Sequence, residues 1–179
     1  MKNKFNEWSM NKYTKKQRFI LLIPEVIFFL IIIPTLLFFL PFYIDMWLSM
    51  PKIIFEPINF ILAILLAILG FIFAFWTILV QFTMGKGTPA PMIPTQKLVK
   101  TGPYIYCRNP MYFGALILYL GVVILTGSIS SFGILALITF FIIIYIKYIE
   151  EKELELRFGK DYIDYKKNTP FFIPLIWKK

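Results

Sequence analysis

Four stretches of the chain are apolar for long enough to cross a bilayer core, which takes about 20 residues of helix: 19–40, 58–82, 111–129 and 132–149. Between them the polar positions are crowded into short connections and a charged tail. The first stretch carries Pro24, Glu25 and Pro34, so a kink is expected there. Glu25 lies about a turn and a half inside it, where it either lines a cavity or snorkels out to Arg18 or Lys16. The last two stretches are separated only by Ser130 and Ser131, with Gly127, Ser128 and Gly133 close by, which predicts a tight helical hairpin. A basic segment followed by an apolar run is also the order of a cleavable signal, but that apolar region is about 7–15 residues long and ends at small residues. The run 19–40 is longer and bulky to its end, so it is expected to stay as a helix.

Composition agrees with a lipid environment. Hydrophobic residues make up 59% of the 179 and charged ones 16%, against about 45–50% and roughly 25% in soluble domains. A soluble fold of this size has too little interior for so much apolar side chain. The expected fold is therefore all-α, an integral membrane bundle of four transmembrane helices in a single domain, 1–179. One cysteine, Cys107, excludes a disulfide framework, and the absence of histidine removes the commonest general base and metal ligand. No metal is expected.

The charge of +9 points to the membrane flanks and not to nucleic acid, because the basic residues sit beside the apolar spans. Six Lys or Arg precede the first span, within a basic interfacial segment 1–18. The first connection has one (Lys52), the second four (Lys86, Lys97, Lys100, Arg108), the third none and the tail eight. By the positive-inside rule both termini and the second connection face the cytoplasm, and an even number of spans requires the termini to share a side. The expected location is the cell (inner) membrane.

Two cytoplasmic pieces are candidates for chemistry. The connection 84–109, MGKGTPAPMIPTQKLVKTGPYIYCRN, is long for a loop without periodicity, and such loops are usually functional or disordered. Its end, LVKTGPYIY, has aromatic and β-branched residues that favour burial. In the tail, IEEKELELRFGKDYIDYKKNTPFFIP, the i,i+4 pairs Lys147–Glu151 and Glu153–Arg157 extend the fourth helix beyond the membrane until Gly159 caps it. Glu150 shares a face with Leu154 and Phe158, and a carboxylate on an apolar stripe is expected to face a partner.

The junction Arg108–Asn109–Pro110–Met111–Tyr112 marks the start of the third helix, since Asn is a favoured N-cap and Pro a favoured first helical residue. The first turn leaves backbone N–H groups free at the positive end of the helix dipole, an arrangement suited to carboxylates and phosphates. Arg108 adds a planar fork for a carboxylate. Locally this fits equally well a plain helix start with an Arg at the headgroups.

GPYIYCRNPMYFG, followed by EEKEL and then FGKDYIDYKKNTPFFIP, resembles the isoprenylcysteine carboxyl methyltransferase and phospholipid methyltransferase family of integral membrane enzymes. The resemblance implies that 84–179 is the cofactor-binding half, with a cytoplasmic pocket between the loop before the third helix and the C-terminal segment. It implies S-adenosylmethionine as cofactor: Gln96, Lys97, Leu98 and Val99 as a loop wall, Tyr104 packing on it, Asn109, Pro110, Met111 and Tyr112 at the helix start, and Glu150 opposite. Arg108 and Glu151 are the residues expected nearest the reaction, with Glu151 helping to balance cationic charge. The acceptor is expected to be a lipophilic small molecule or lipid, methylated on O or N. Two departures stand out. Asn109 replaces the family's His and cannot act as a base. Ile146 stands where enzymes that methylate prenylated cysteine use an Arg, which weakens the case for that acceptor. Two other readings stay open. A membrane reductase of sterol-reductase type would bind NADPH and draw on Lys97 and Lys100, and a non-enzymatic accessory protein would leave the pocket unused.

Overall fold

The computed structural model describes residues 13–53, 56–88 and 95–175. The basic residues before position 13, the middle of the second connection (89–94) and Lys178 and Lys179 lie outside the described residues. The described chain is all helical, with one isolated bridge between Lys52 and Ser128 and no strand.

Three helices are long and apolar enough to cross a membrane: α1 (Lys15–Leu48), α2 (Ile58–Gly85) and α4 (Ile129–Phe158). α3 (Pro110–Thr126) is shorter, at 17 residues, the lower end of the spanning range. A last helix, α5 (Lys160–Asn168), follows the turn at Gly159. α1 begins at a capping box, in which Thr14 and Gln17 satisfy each other's backbone N–H. It runs past the apolar stretch 19–40 because 41–48 (PFYIDMWL) is still apolar enough to remain helical. The helical hairpin turns on Gly127 and Ser128, slightly before the expected Ser130–Ser131. Gly127 takes φ 59°, and the Ser128 hydroxyl caps the amide of Ser131.

Lipid is the solvent for most of this surface. Only 11% of the most apolar window of α2 is buried, and Ile61, Leu65, Ile68 and Ile72 point outward. α3 is the exception, with Tyr119 and Val123 packed against Ile33, Leu37 and Leu135 in the core. It lies closest to α2, where small residues let the two backbones approach. A Cβ on Gly114 would stand 2.7 Å from the Ala74 amide nitrogen, and one on Gly121 2.7 Å from the Ala63 carbonyl oxygen.

The expected kink in α1 takes the form of a π-helical turn at Phe28–Ile32, between Pro24 and Pro34. A freed carbonyl there is satisfied by the Tyr119 hydroxyl, which donates to Phe29 O at 2.8 Å. Similar turns lie at Gln81–Gly85 and Ile146–Glu150, both at the same end of the bundle. Such turns are frequent at functional sites.

Candidate functional site

At that end, where α3 starts and α2 and α4 finish, a cavity of about 730 Å³ (counting the space at its mouth) opens among polar side chains. Gln81 of α2, the loop residues Thr88, Thr95, Leu98 and Val99, and Tyr104 form one side. The start of α3 supplies Arg108 through Tyr112. From the opposite side, α4 contributes Glu150, Glu153, Leu154 and Arg157, spaced i, i+3, i+4 and i+7 on one helical face, and α5 adds Tyr162 and Tyr165.

The start of α3 is built as its sequence predicts, with Asn109 in the N-cap position and Pro110 as the first helical residue. The Asn109 side chain does not cap, however. Its amide reaches across the fold and donates to Phe171 O at 2.8 Å, while the Arg108 amide donates to Pro170 O at 2.9 Å. The Arg108 guanidinium lies 5.5 Å from the Phe171 ring centre. Residues 108–109 thus clamp the C-terminal segment against the bundle. The Asn109 side chain makes no cap bond to the first turn of α3, whose residues Met111 and Tyr112 line the cavity. Across from them the Tyr112 hydroxyl donates to Glu150 Oε2 at 3.3 Å.

The charges around the cavity are largely paired. Arg157 bonds Glu153 at 3.1 Å and the Thr95 carbonyl. Arg108 pairs with Glu151 at 2.5 Å, and Lys166 meets the other Glu151 oxygen at 2.7 Å. Burial pushes the Tyr104 and Tyr162 phenols above their ordinary range, and the acidic neighbours Glu150 and Glu151 add to this, so both stay neutral. Tyr165 donates to Tyr104 O at 2.7 Å, tying α5 to the 3-10 turn Gly102–Ile105.

Of the residues singled out from the sequence, the cavity brings together Leu98, Val99, Tyr104, Arg108, Asn109, Pro110, Met111, Tyr112 and Glu150. Three are elsewhere. Gln96 and Lys97 turn their amides to Gly85 O, at 2.8 and 3.1 Å, with the Lys97 side chain exposed. Glu151, expected beside the reacting groups, is absent from the lining and serves as the buried hub between Arg108 and Lys166. The physical reason is the helical register: 100° beyond Glu150, its side chain faces α5 and not the cavity.

Sequence reasoning did not single out Gln81, Thr88, Thr95, Glu153, Arg157, Tyr162 or Tyr165 as site residues. The i+3 and i+7 spacing from Glu150 carried the signal for Glu153 and Arg157. For Gln81, which donates to Thr95 Oγ1 at 2.5 Å, the signal was a polar residue ending an apolar span. Among the described residues no group of His, Cys, Asp and Glu is placed to hold a metal ion.

A membrane-embedded helical bundle with a polar cavity at one end, between the start of one helix and the acidic extension of another, is a scaffold for a membrane enzyme working on small molecules. Residues 58–161, more than half of the chain, match the phospholipid methyltransferase family, and the chain belongs to that family of membrane methyltransferases. Compared with curated proteins and with solved structures, the chain has no match.

Proposed function

We propose that the chain is an S-adenosylmethionine-dependent methyltransferase acting on a lipophilic small molecule or lipid, with its cavity on the cytoplasmic side of the cell membrane. The observation that carries this reading is the single cavity shared by the first-turn amides of Met111 and Tyr112 and, opposite them, Glu150. A free helix N-terminus attracts a carboxylate, and a carboxylate across from it attracts an ammonium. This donor set fits a zwitterionic amino acid attached to a nucleoside.

S-adenosylmethionine supplies an electrophilic methyl group on a sulfonium, so the protein needs no nucleophile of its own. The Met111 and Tyr112 amides hold the amino-acid carboxylate, Glu150 the ammonium, and Leu98, Val99 and Tyr104 pack against the nucleoside. Arg108, held by Glu151, fastens the C-terminal segment to the start of α3 through its contact with the Phe171 ring. The remaining contribution is alignment of donor and acceptor, which can supply several kcal/mol. The reductase alternative is less well served: Lys97 and Lys100, the cations available for a 2′-phosphate, are exposed and outside the lining.

Calorimetry on the purified protein in detergent tests this. Binding of S-adenosylmethionine is expected, weakened at least tenfold in Glu150→Ala by loss of a charged contact, about 1.4 kcal/mol or more. Heat with NADPH and none with S-adenosylmethionine overturns the reading.

A further inference from the structure

The rim around the cavity is divided by charge. Segments 13–24 and 81–101, the start of α1 and the end of α2 with its loop, hold Lys15, Lys16, Arg18, Lys86, Lys97 and Lys100 and no Asp or Glu. The next carboxylate along α1, Glu25, is buried. Across the cavity, residues 150–168 hold six carboxylates against five Lys or Arg.

The basic residues form one surface. Arg18 Nη1 donates to Phe82 O at 2.9 Å, which sets the start of α1 beside the end of α2. The Lys97 amide donates to Gly85 O at 3.1 Å, next to Lys86. The hydroxyl of Thr101, which follows Lys100, donates to Met84 Sδ at 3.2 Å. Lys15, Lys16, Lys86, Lys97 and Lys100 are exposed, and no carboxylate among the described residues forms an ion pair with any of them. The loop is two-sided: Thr95, Leu98 and Val99 line the cavity, while Lys97 and Lys100 are exposed. The surface also lies at the depth of lipid headgroups. α2 has 28 residues, about 42 Å at 1.5 Å per residue, against about 30 Å of hydrocarbon and about 40–45 Å with both headgroup layers. Exposed apolar residues lead up to the lysines on both helices, Phe19, Ile20 and Ile23 on α1 and Ile72, Leu79 and Met84 on α2.

We infer that Lys15, Lys16, Lys86, Lys97 and Lys100 form a docking surface for the headgroups of anionic phospholipids in the adjoining leaflet. Clustered juxtamembrane lysines attract such headgroups, each adding about fivefold to binding near the surface. Two features select this occupant. The lysines continue the lipid-facing sides of α1 and α2, so a phospholipid reaches them without leaving the bilayer, and on that side their charge is unopposed. A second copy meeting by the same face would bring like charges together. The side made by α4 and α5 has no such bias, because its cations share their surface with carboxylates: Lys166 is held by Glu151 and Glu155, and Arg157 by Glu153. The docked headgroup lies against the outer side of the loop whose inner side walls the cavity. This goes beyond the methyltransferase reading and does not depend on it.

The test is thermophoretic titration of the purified full chain in neutral detergent with dihexanoyl phosphatidylglycerol and dihexanoyl phosphatidylcholine, soluble lipids of one chain length. The wild type should bind the anionic lipid at least tenfold tighter. Lys86→Gln/Lys97→Gln/Lys100→Gln should weaken phosphatidylglycerol at least tenfold and leave phosphatidylcholine within twofold. The control, Lys152→Gln/Lys160→Gln/Lys167→Gln, removes the same charge from exposed positions on the acidic side and should change neither affinity by more than twofold. If phosphatidylglycerol binding falls no further in the first variant than in the control, net charge alone governs it and the proposal is overturned. A wild type that does not prefer the anionic lipid overturns it as well. Hexaglutamate bound as tightly as phosphatidylglycerol would make the surface a site for an acidic protein, and inorganic phosphate bound so tightly a site for the free anion; either result defeats lipid docking. Should the triple variant not fold, Lys97→Gln/Lys100→Gln should still lose at least fivefold for phosphatidylglycerol, and no loss there counts equally against the proposal.

Discussion

Asn109 shows how a residue can hold its expected place and do different work there. Its identity before Pro110 marks the helix start correctly, but the side chain that local rules assign to capping donates instead to Phe171 O, 62 positions away. A contact of that separation leaves no trace in local sequence, whereas the Asn-Pro boundary does. Asn109→Ala should leave a partly buried carbonyl without its donor, costing about 1 kcal/mol, and loosen the C-terminal segment. Thermal unfolding in detergent should show the loss and calorimetry a weaker S-adenosylmethionine isotherm. Asn109→His, which keeps an N–H donor, should recover part of both; equal loss in the two variants would mean that the donor is not what matters. Cys107, two residues earlier, is buried, and burial pushes its thiol up to about 11. The neutral thiol is thus favoured in the folded state. Its stabilising contribution is whole below the ordinary value of 9 and is lost as pH rises toward 11. As the sole cysteine, it should resist iodoacetamide at pH 8 and react once the protein is unfolded in SDS, about 100-fold faster from thiolate population alone. Native labelling at the unfolded rate would refute its burial.

Between elements, the closest packing in the bundle is the seam of α2 with α3. Gly70, Gly114 and Gly121 face Leu118, Ala74 and Ala63 so closely that any Cβ would meet backbone atoms. Neither helix advertises this seam in its hydropathy, because lipid-facing and helix-facing positions are both apolar. The apolar helices themselves were legible in the sequence for the opposite reason, since charged residues must leave the hydrocarbon. Span length was less so: α1 continues to Leu48 because Asp45, a residue that would otherwise end an apolar run, is buried against Ser128 and Ser130 at the start of α4, with Lys52 nearby. A carboxylate there complements the positive end of the helix. Gly121→Val should cost at least the 1–3 kcal/mol typical of overpacking, because the obstruction is the Ala63 carbonyl and not a side chain that can turn aside. Gly133→Ala, on α4 with open space around it, is the matched control and should unfold like wild type. If both variants unfold alike, the seam is not what holds α3 in the centre.

At the scale of the whole molecule, the chemistry has one address because the chain passes back and forth. α1 starts, α2 ends, α3 starts and α4 ends on one side, so the described polar residues of 84–88, 95–109 and 150–175 converge there although an apolar hairpin separates them in sequence. The charge pattern predicts that this side is the cytoplasmic one, which is also where the proposed donor, S-adenosylmethionine, would be found. Orientation is a property that no contact inside the bundle reports, but the buried single cysteine makes it measurable. Lys52, exposed on the first connection, and Lys160, exposed beyond α4, lie at opposite ends of the bundle. With Cys107 silent, Lys52→Cys should react with a membrane-impermeant maleimide on intact cells stripped of any outer barrier, and Lys160→Cys only after the membrane is opened. The four basic residues of the second connection and the eight of the tail then sit on the side where Lys160 is protected, in keeping with the positive-inside bias. Labelling of Lys160→Cys from outside would invert the molecule and put the cavity in a compartment without its donor. The methyl-transfer reading would then fail even with every distance in the site unchanged.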